Sequence, residues 1–344
     1  MERVFIKDYP LDELEGWVEG IGERRFRARQ IFRHVYGRLI RSWDECTDLA
    51  KAFRTQLEFG THLDALSLVQ AQEAEDGTRK FLFRLHDGHH IESVLIPDPP
   101  RNTLCISSQV GCALGCRFCL TGTLGLTRNL TTAEIVDQVI QVHHLQGKEG
   151  RITNIVFMGM GEPLANYRQV IRALKILLDP QGLGFSHRRI TLSTVGLVPR
   201  MRELGKESPV NLAVSLHAAD NETRSRLMPV NRTYPLEDLI RACRDYPMPS
   251  RKRITFEYIL IRDVNDRTED ARRLVKILSG VRAKVNLIPF NPHPSLPFQR
   301  PSEERILAFQ NILKDAHMTA TIRQSRGADI RAACGQLAAQ VVSS

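Results

Sequence analysis

Aromatic residues are scarce in this sequence, 6% of 344 positions with two tryptophans. So thin a set does not build an extended platform for stacked bases. No apolar run approaches the roughly 20 residues that a membrane-spanning helix needs, and no membrane partner is expected. The opening stretch MERVFIKDYPLDELEG lacks the long apolar core of a secretory signal. Collagenous, low-complexity and internally repeated segments are missing too. What is there has ordinary globular composition, with 42% hydrophobic and 25% charged residues. The length allows one α/β domain of roughly 200–250 residues plus a smaller one.

The formal net charge is +9 and the pI about 9.4. Basic stretches occur at ERRFRARQ (23–30), SHRR (186–189) and SRKR (250–253). They point to a polyanionic partner, RNA or DNA first, or else to a basic solvated surface.

Up to about residue 60 the apolar spacing is helical. FRARQIFRHVYGRLI (26–40) and WDECTDLAKAFRTQL (43–57) each read as an amphipathic helix. FLFRL (81–85) and HIESVLI (90–96) flank an Asp-Gly turn and predict a hairpin. PDPPR (97–101) reads as a linker, which divides the chain into an accessory domain over 1–100 and a core over 101–344. In the core, strands TLCISS, NIVFM, RITLST, NLAVSLH, ITFEYILI and KVNLIPF alternate with helical segments before a last strand, TATIR. Thr131 with Glu134 forms a capping-box pattern at one helix start. Six strand–helix units give an α/β fold, a partial, open (β/α)6 barrel, since eight units close a full one.

Active sites of such sheets gather at the carboxyl ends of the strands. There lie Gly159-Met160-Gly161-Glu162-Pro163, Ser193, Ser215, His217, Asn291 and the stretch CALGCRFC (112–119). Cys112, Cys116 and Cys119 have no fourth cysteine beside them and no second pair elsewhere. Zinc would need a fourth ligand from another part of the chain. A redox C-x-x-C would leave Cys112 unexplained. An iron–sulfur cluster held by three thiolates would keep one iron open. Cys46 and Cys243 read as small buried core residues. Without a signal segment, the cysteines are expected as metal ligands or catalytic thiols rather than structural disulfides, and the cytoplasm as the location.

C-x3-C-x2-C after the first barrel strand, with Phe118 before the last cysteine and GMGEP on the next strand, resembles the radical S-adenosylmethionine (SAM) enzymes. CISSQVGCALGCRFC (105–119), FMGMGEPLAN (157–166), VNLAVSLHA (210–218), LMPVN (227–231) and AACGQLA (332–338) resemble one group within them. It is the RlmN/Cfr group of radical SAM RNA methyltransferases. GEPLAN and NLIPFN look more like the RlmN form than the Cfr form.

The resemblance implies one 4Fe-4S cluster on Cys112, Cys116 and Cys119, and two SAM molecules per turnover. Gly161, Glu162, Ser193, Ser215, Leu216, His217 and Asn291 match SAM-contacting positions. On residue type alone His217 would read as a hydrogen-bonded barrel histidine. The implied reaction is methylation of adenine C2 in 23S rRNA and of the adenosine 3′ of the anticodon in tRNA. Cys334 would carry the methyl-derived carbon, a task for a nucleophilic thiolate. Glu92 would accept the C2 proton, although by composition it reads as an exposed strand carboxylate. Cys105 would release the product by forming a transient disulfide with Cys334. The implied partners are rRNA, tRNA and an electron donor such as flavodoxin or ferredoxin, and the expected state is a monomer.

Three alternatives stand beside this reading. One is Cfr-type methylation at adenine C8, and another is a radical SAM enzyme of different chemistry. The third is a zinc-dependent nucleic-acid-binding protein without catalysis.

Overall fold

In a computed structural model of the chain, residues 3–147, 150–249 and 252–339 are described. Ser250 and Arg251 of the SRKR stretch lie outside them. One ten-stranded sheet carries the architecture. Its strands are β1 (Leu66–Glu73), β2 (Arg79–Leu85), β3 (His90–Asp98), β4 (Arg101–Cys105), β5 (Asn154–Phe157), β6 (Ile190–Thr194), β7 (Asn211–Ser215), β8 (Ile254–Leu260), β9 (Ala283–Pro289) and β10 (Ala320–Ile322). Their spatial order is their chain order. Strands β1 to β4 pair antiparallel, and β4 to β10 pair parallel.

Each parallel crossover contains a helix, as it must for parallel neighbours. The helix Tyr167–Leu178 shows the logic. It turns Val170, Ala173, Leu174, Ile176 and Leu177 inward, at the three- and four-residue spacings of one helix face. Six such units precede β10, so the expected (β/α)6 count holds. Thr131 caps the helix Thr132–Gln146 by accepting from the Glu134 backbone, and the Glu134 side chain answers at the Thr131 N–H.

The N-terminal helices, Leu11–Gly20, Phe26–Phe32 and Lys51–Gly60, share one apolar core with the barrel, and the turn Ile6–Asp8 packs against that capped helix. Asp137 is fully buried there and accepts from Lys7 Nζ at 2.5 Å and from the N–H groups of Ala65 and Leu66. Removing one member of so buried a pair typically costs about 3–5 kcal/mol. The N-terminal region is therefore pinned to the barrel rather than tethered.

Four local expectations change. The helix over 26–40 is α-helical only to Phe32 and widens into a π-helix over Arg33–Arg38. The helix over 43–57 is split into a short turn at Trp43–Glu45 and a helix from Lys51, with Asp48 between them drawn to His34 at 2.5 Å. PDPPR is a hairpin turn, with Pro97 and Asp98 paired to Asn102 and Arg101. Strand TLCISS pairs from Arg101 and ends at Cys105.

Candidate functional site

A second, two-stranded ribbon shapes the cysteine loop. Gln109–Cys112 pairs antiparallel with Gly125–Asn129, so the segment carrying Cys112, Cys116 and Cys119 is gathered at its base. The crossing needs glycine. Gly111 has φ +75°, and a Cβ there would lie 1.9 Å from the Gly125 carbonyl oxygen.

All three cysteines line one open-mouthed chamber. Gly159, Gly161, Glu162, Ser193, Ser215 and His217 line it as well. Among the described residues, no three His, Cys, Asp or Glu side chains converge as they would around a single metal ion. The three thiols face the same chamber. Burial pushes the Cys112 thiol up to about 11 and raises those of Cys116 and Cys119. Thiols so placed become thiolates only beside a compensating positive charge, which bound iron supplies. The donor set and cavity therefore fit an iron–sulfur cluster.

The rest of the wall is held rigidly. Gly161 has φ +96°, and a Cβ would meet Gln109 Cβ at 2.5 Å and its backbone N at 2.8 Å. Only glycine permits both the conformation and the approach. Glu162 is buried and accepts from the N–H groups of Leu164 (3.1 Å) and Val195 (2.9 Å). Burial raises its carboxyl to about 7 against the pull of those bonds. His217, at φ +59°, accepts at Nδ1 from the Ile259 N–H at 3.0 Å and meets Phe118 edge-on at 4.7 Å. Burial, with Arg224 nearby, lowers its imidazole to about 3. The ring is therefore neutral, with its proton on Nε2. His217 is thus a hydrogen-bonded barrel histidine, as its residue type suggested, and its ring also lines the chamber.

Arg224 explains the LMPVN stretch. Its buried guanidinium donates to the carbonyls of Leu216, Val195 and Ser215 and to Asn231 Oδ1. One side chain thus ties together the loops after β6 and β7. Leu216 itself is fully buried and lines neither chamber, so its side chain belongs to the core.

A smaller chamber adjoins the first. Cys105, Asn291 and Cys334 line it, and Met158, Ile288, Arg323 and Cys334 line both. Asn291 therefore faces the second chamber rather than the first, and accepts a hydrogen bond from Ser325 Oγ. Burial pushes the Cys105 thiol up to about 12, with Cys334 adding to the effect and Arg323 opposing it.

Cys334 rides on a strap, residues 324–339, that follows β10 and lines both chambers. Leu120 N–H donates to the Gly335 carbonyl, and Thr121 Oγ1 to that of Leu337. Asp76 accepts from the Gly327 N–H, and Asp329 from that of Glu75, in the turn joining β1 to β2. Glu92 on β3 accepts from the N–H groups of Ala338 and Ala339. It is only 3% exposed, so the exposed-carboxylate alternative fails. Cys46 and Cys243 are buried in the core, as expected.

Sequence reading passed over Glu257 and Arg323. Glu257 is buried on the chamber wall, bonded to Asn286 Nδ2 at 2.7 Å, and burial raises its carboxyl. Its signal was present, a lone carboxylate inside the apolar run ITFEYILI. Arg323 had none, because one arginine among many carries no pattern.

Known proteins share this arrangement. Residues 106–275 match the radical SAM superfamily, and residues 5–61 match the ribosomal RNA large subunit methyltransferase N-terminal domain. The dual-specificity RNA methyltransferase RlmN of Syntrophobacter fumaroxidans is 66% identical over 99% of both chains. That of Geotalea uraniireducens is 55% identical over 98% of this chain and 97% of its own. The crystal structure of a radical SAM methyltransferase from Sphaerobacter thermophilus superposes with TM-score 0.94 at 49% identity, covering 98% of this chain and 100% of that one.

Proposed function

This chain belongs to the RlmN family of dual-specificity RNA methyltransferases, and on that premise we propose that it methylates C2 of adenine in 23S rRNA, at the peptidyl-transferase centre, and in tRNA, at the adenosine 3′ of the anticodon. The enzyme is a radical SAM methyltransferase whose family uses a 4Fe-4S cluster and SAM. When bound, these supply a 5′-deoxyadenosyl radical and a methyl group. Cys112, Cys116 and Cys119 would hold the cluster. Gly161, Glu162, Ser193, Ser215 and His217 would hold SAM, with Glu162 offering a carboxylate to its amino group. Leu216 would contribute through its backbone, and Asn291 from the edge of the second chamber.

The single observation that carries this reading is that Cys334 borders both chambers while Cys105 borders only the second. A carrier thiol must meet the methyl source in one place and the base in another. C2 of adenine is electron-poor and does not attack a methyl group as a nucleophile, so the carbon reaches it on a sulfur. Cys334 holds that carbon, and Glu92 accepts the C2 proton. The Cys105 thiolate then attacks the Cys334 sulfur; a disulfide forms as the carbon–sulfur bond breaks, its electron pair leaves with the methylene carbon, and a proton taken up there completes the methyl group.

Residues 1–100 would form the RNA-binding region and 101–344 the catalytic core. In ERRFRARQ, Arg25 and Arg29 pair with Glu15 and Arg27 lies beside Glu23. Arg24 is exposed beside exposed Phe26, which leaves it for phosphate. Among the described residues no helix is long and apolar enough to cross a membrane. The cytoplasm, a monomeric state and a flavodoxin or ferredoxin donor complete the proposal. Nucleoside mass spectrometry of rRNA and tRNA from a deletion strain tests it. Loss of 2-methyladenosine from both RNAs, restored by the gene, is expected, whereas loss of 8-methyladenosine instead would overturn the assignment.

A further inference from the structure

Glu92 does more than stand near the strap. Its Oε2 accepts from the N–H groups of Ala338 at 2.9 Å and Ala339 at 3.0 Å, and its Oε1 lies 3.2 Å from Lys80 Nζ. Both side chains are buried. They sit diagonally on β2 and β3, where Lys80 opposes Val94 and Leu82 opposes Glu92. The strap's other ties to the cysteine loop run through its carbonyls, at Gly335 and Leu337. Among the described residues, the Glu92 carboxylate alone gathers two successive strap N–H groups, just beyond Cys334.

We propose that Glu92 is the clasp of the Cys334 strap, that Lys80 is the positioning residue holding it, and that the proton Glu92 takes from adenine C2 opens the clasp. This rests on Glu92 being the proton acceptor. In that step the C2–H bond breaks, its electron pair stays with the adenine–methylene unit, and an O–H bond forms on Glu92. Hydrogen bonds to a charged acceptor are roughly twice as strong as neutral ones. Neutralising the carboxylate weakens both strap bonds and leaves Lys80 without its buried partner. At that moment adenine is tethered to Cys334, and Cys105 must reach the Cys334 sulfur. A loosened strap lets that sulfur turn toward Cys105. The same carboxylate therefore orders two events, proton removal first and thiol attack second.

Hydrogen–deuterium exchange of the holoenzyme with SAM, read at Ala338 and Ala339, tests the clasp. Glu92→Gln and Lys80→Met should speed exchange there about tenfold or more, the loss of a charge-assisted bond. Lys80→Arg should restore protection. Lys80→Met also removes the partner that aims Glu92, so the C2 proton stays in place and RNA joined to protein should accumulate on denaturing gels; Lys80→Arg should clear it, a rescue that general destabilisation does not give. Glu92→Gln serves where Lys80→Met does not fold. Unchanged exchange in Glu92→Gln would overturn the clasp. Fast exchange with normal RNA turnover in Glu92→Gln would overturn the proton trigger. Cys334 methylation in the same samples, followed by peptide mass, separates that result from failure of the radical chemistry.

Discussion

Cys105 and Cys334 line one chamber, yet only Cys334 also lines the chamber of the three cysteines. The two thiols therefore have different reach and, on the proposed mechanism, different tasks. Cys334→Ala removes the carrier and should yield neither methylated RNA nor adduct. Cys105→Ala keeps the carrier and should accumulate a covalent protein–RNA species, seen as a slow, nuclease-sensitive band on a denaturing gel. A Cys105→Ala enzyme that turns over without adduct would reduce Cys105 to a packing residue.

The cluster ligands act together. Cys112→Ala, Cys116→Ala or Cys119→Ala, purified without oxygen, should lose acid-labile sulfide and SAM cleavage. Normal iron content in the triple variant would contradict the assignment. The native protein should be brown and contain iron rather than zinc.

Gly161→Ala meets both a left-handed backbone and the Gln109 backbone at 2.8 Å. The strain should cost about 1–3 kcal/mol. It falls on the turn that aims Glu162, so SAM affinity should drop further than the midpoint of urea unfolding does. Titration calorimetry beside urea unfolding separates the two effects.

Cys243, which lines neither chamber, gives a pH prediction. Burial lifts its thiol to about 12, against about 8.5 in an unfolded chain. Its folded-state value is raised, so its contribution is complete below about pH 8.5. Between there and about pH 12 the unfolded chain loses the proton and the folded chain keeps it. Stability should fall by roughly 1.4 kcal/mol per pH unit from this thiol. Cys243→Ala should unfold in urea with a shallower decline between pH 9 and 11 than the unaltered chain.

How legible this was in sequence depended on whether a feature repeats or stands alone. The parallel strands announced themselves, because burial on both faces makes runs such as NLAVSLH and ITFEYILI nearly continuous in apolar residues. The edge strand β1 reads LSLVQAQE, with one fully buried residue, and no run marks it. The ribbon around the cysteine loop was equally silent, since its pairing depends on two glycines meeting rather than on an apolar pattern. In the site, Cys112, Cys116, Cys119, Gly161 and Glu162 were visible because their spacing is local. The link between Cys105 and Cys334 is not local, and no periodicity connects a first strand to a returning strap. Only resemblance joined them in advance.

The strap is fastened to β3, to the β1–β2 turn and to the cysteine loop, and every one of those partners precedes it in the chain. During synthesis the carrier thiol therefore emerges after the seat that receives it. A nascent chain halted before residue 323 would contain all three cluster cysteines, the resolving thiol and the proton acceptor, but not Cys334, the sulfur on which the carbon is loaded. The order of translation thus keeps the radical centre from meeting its carrier until the barrel strands already exist.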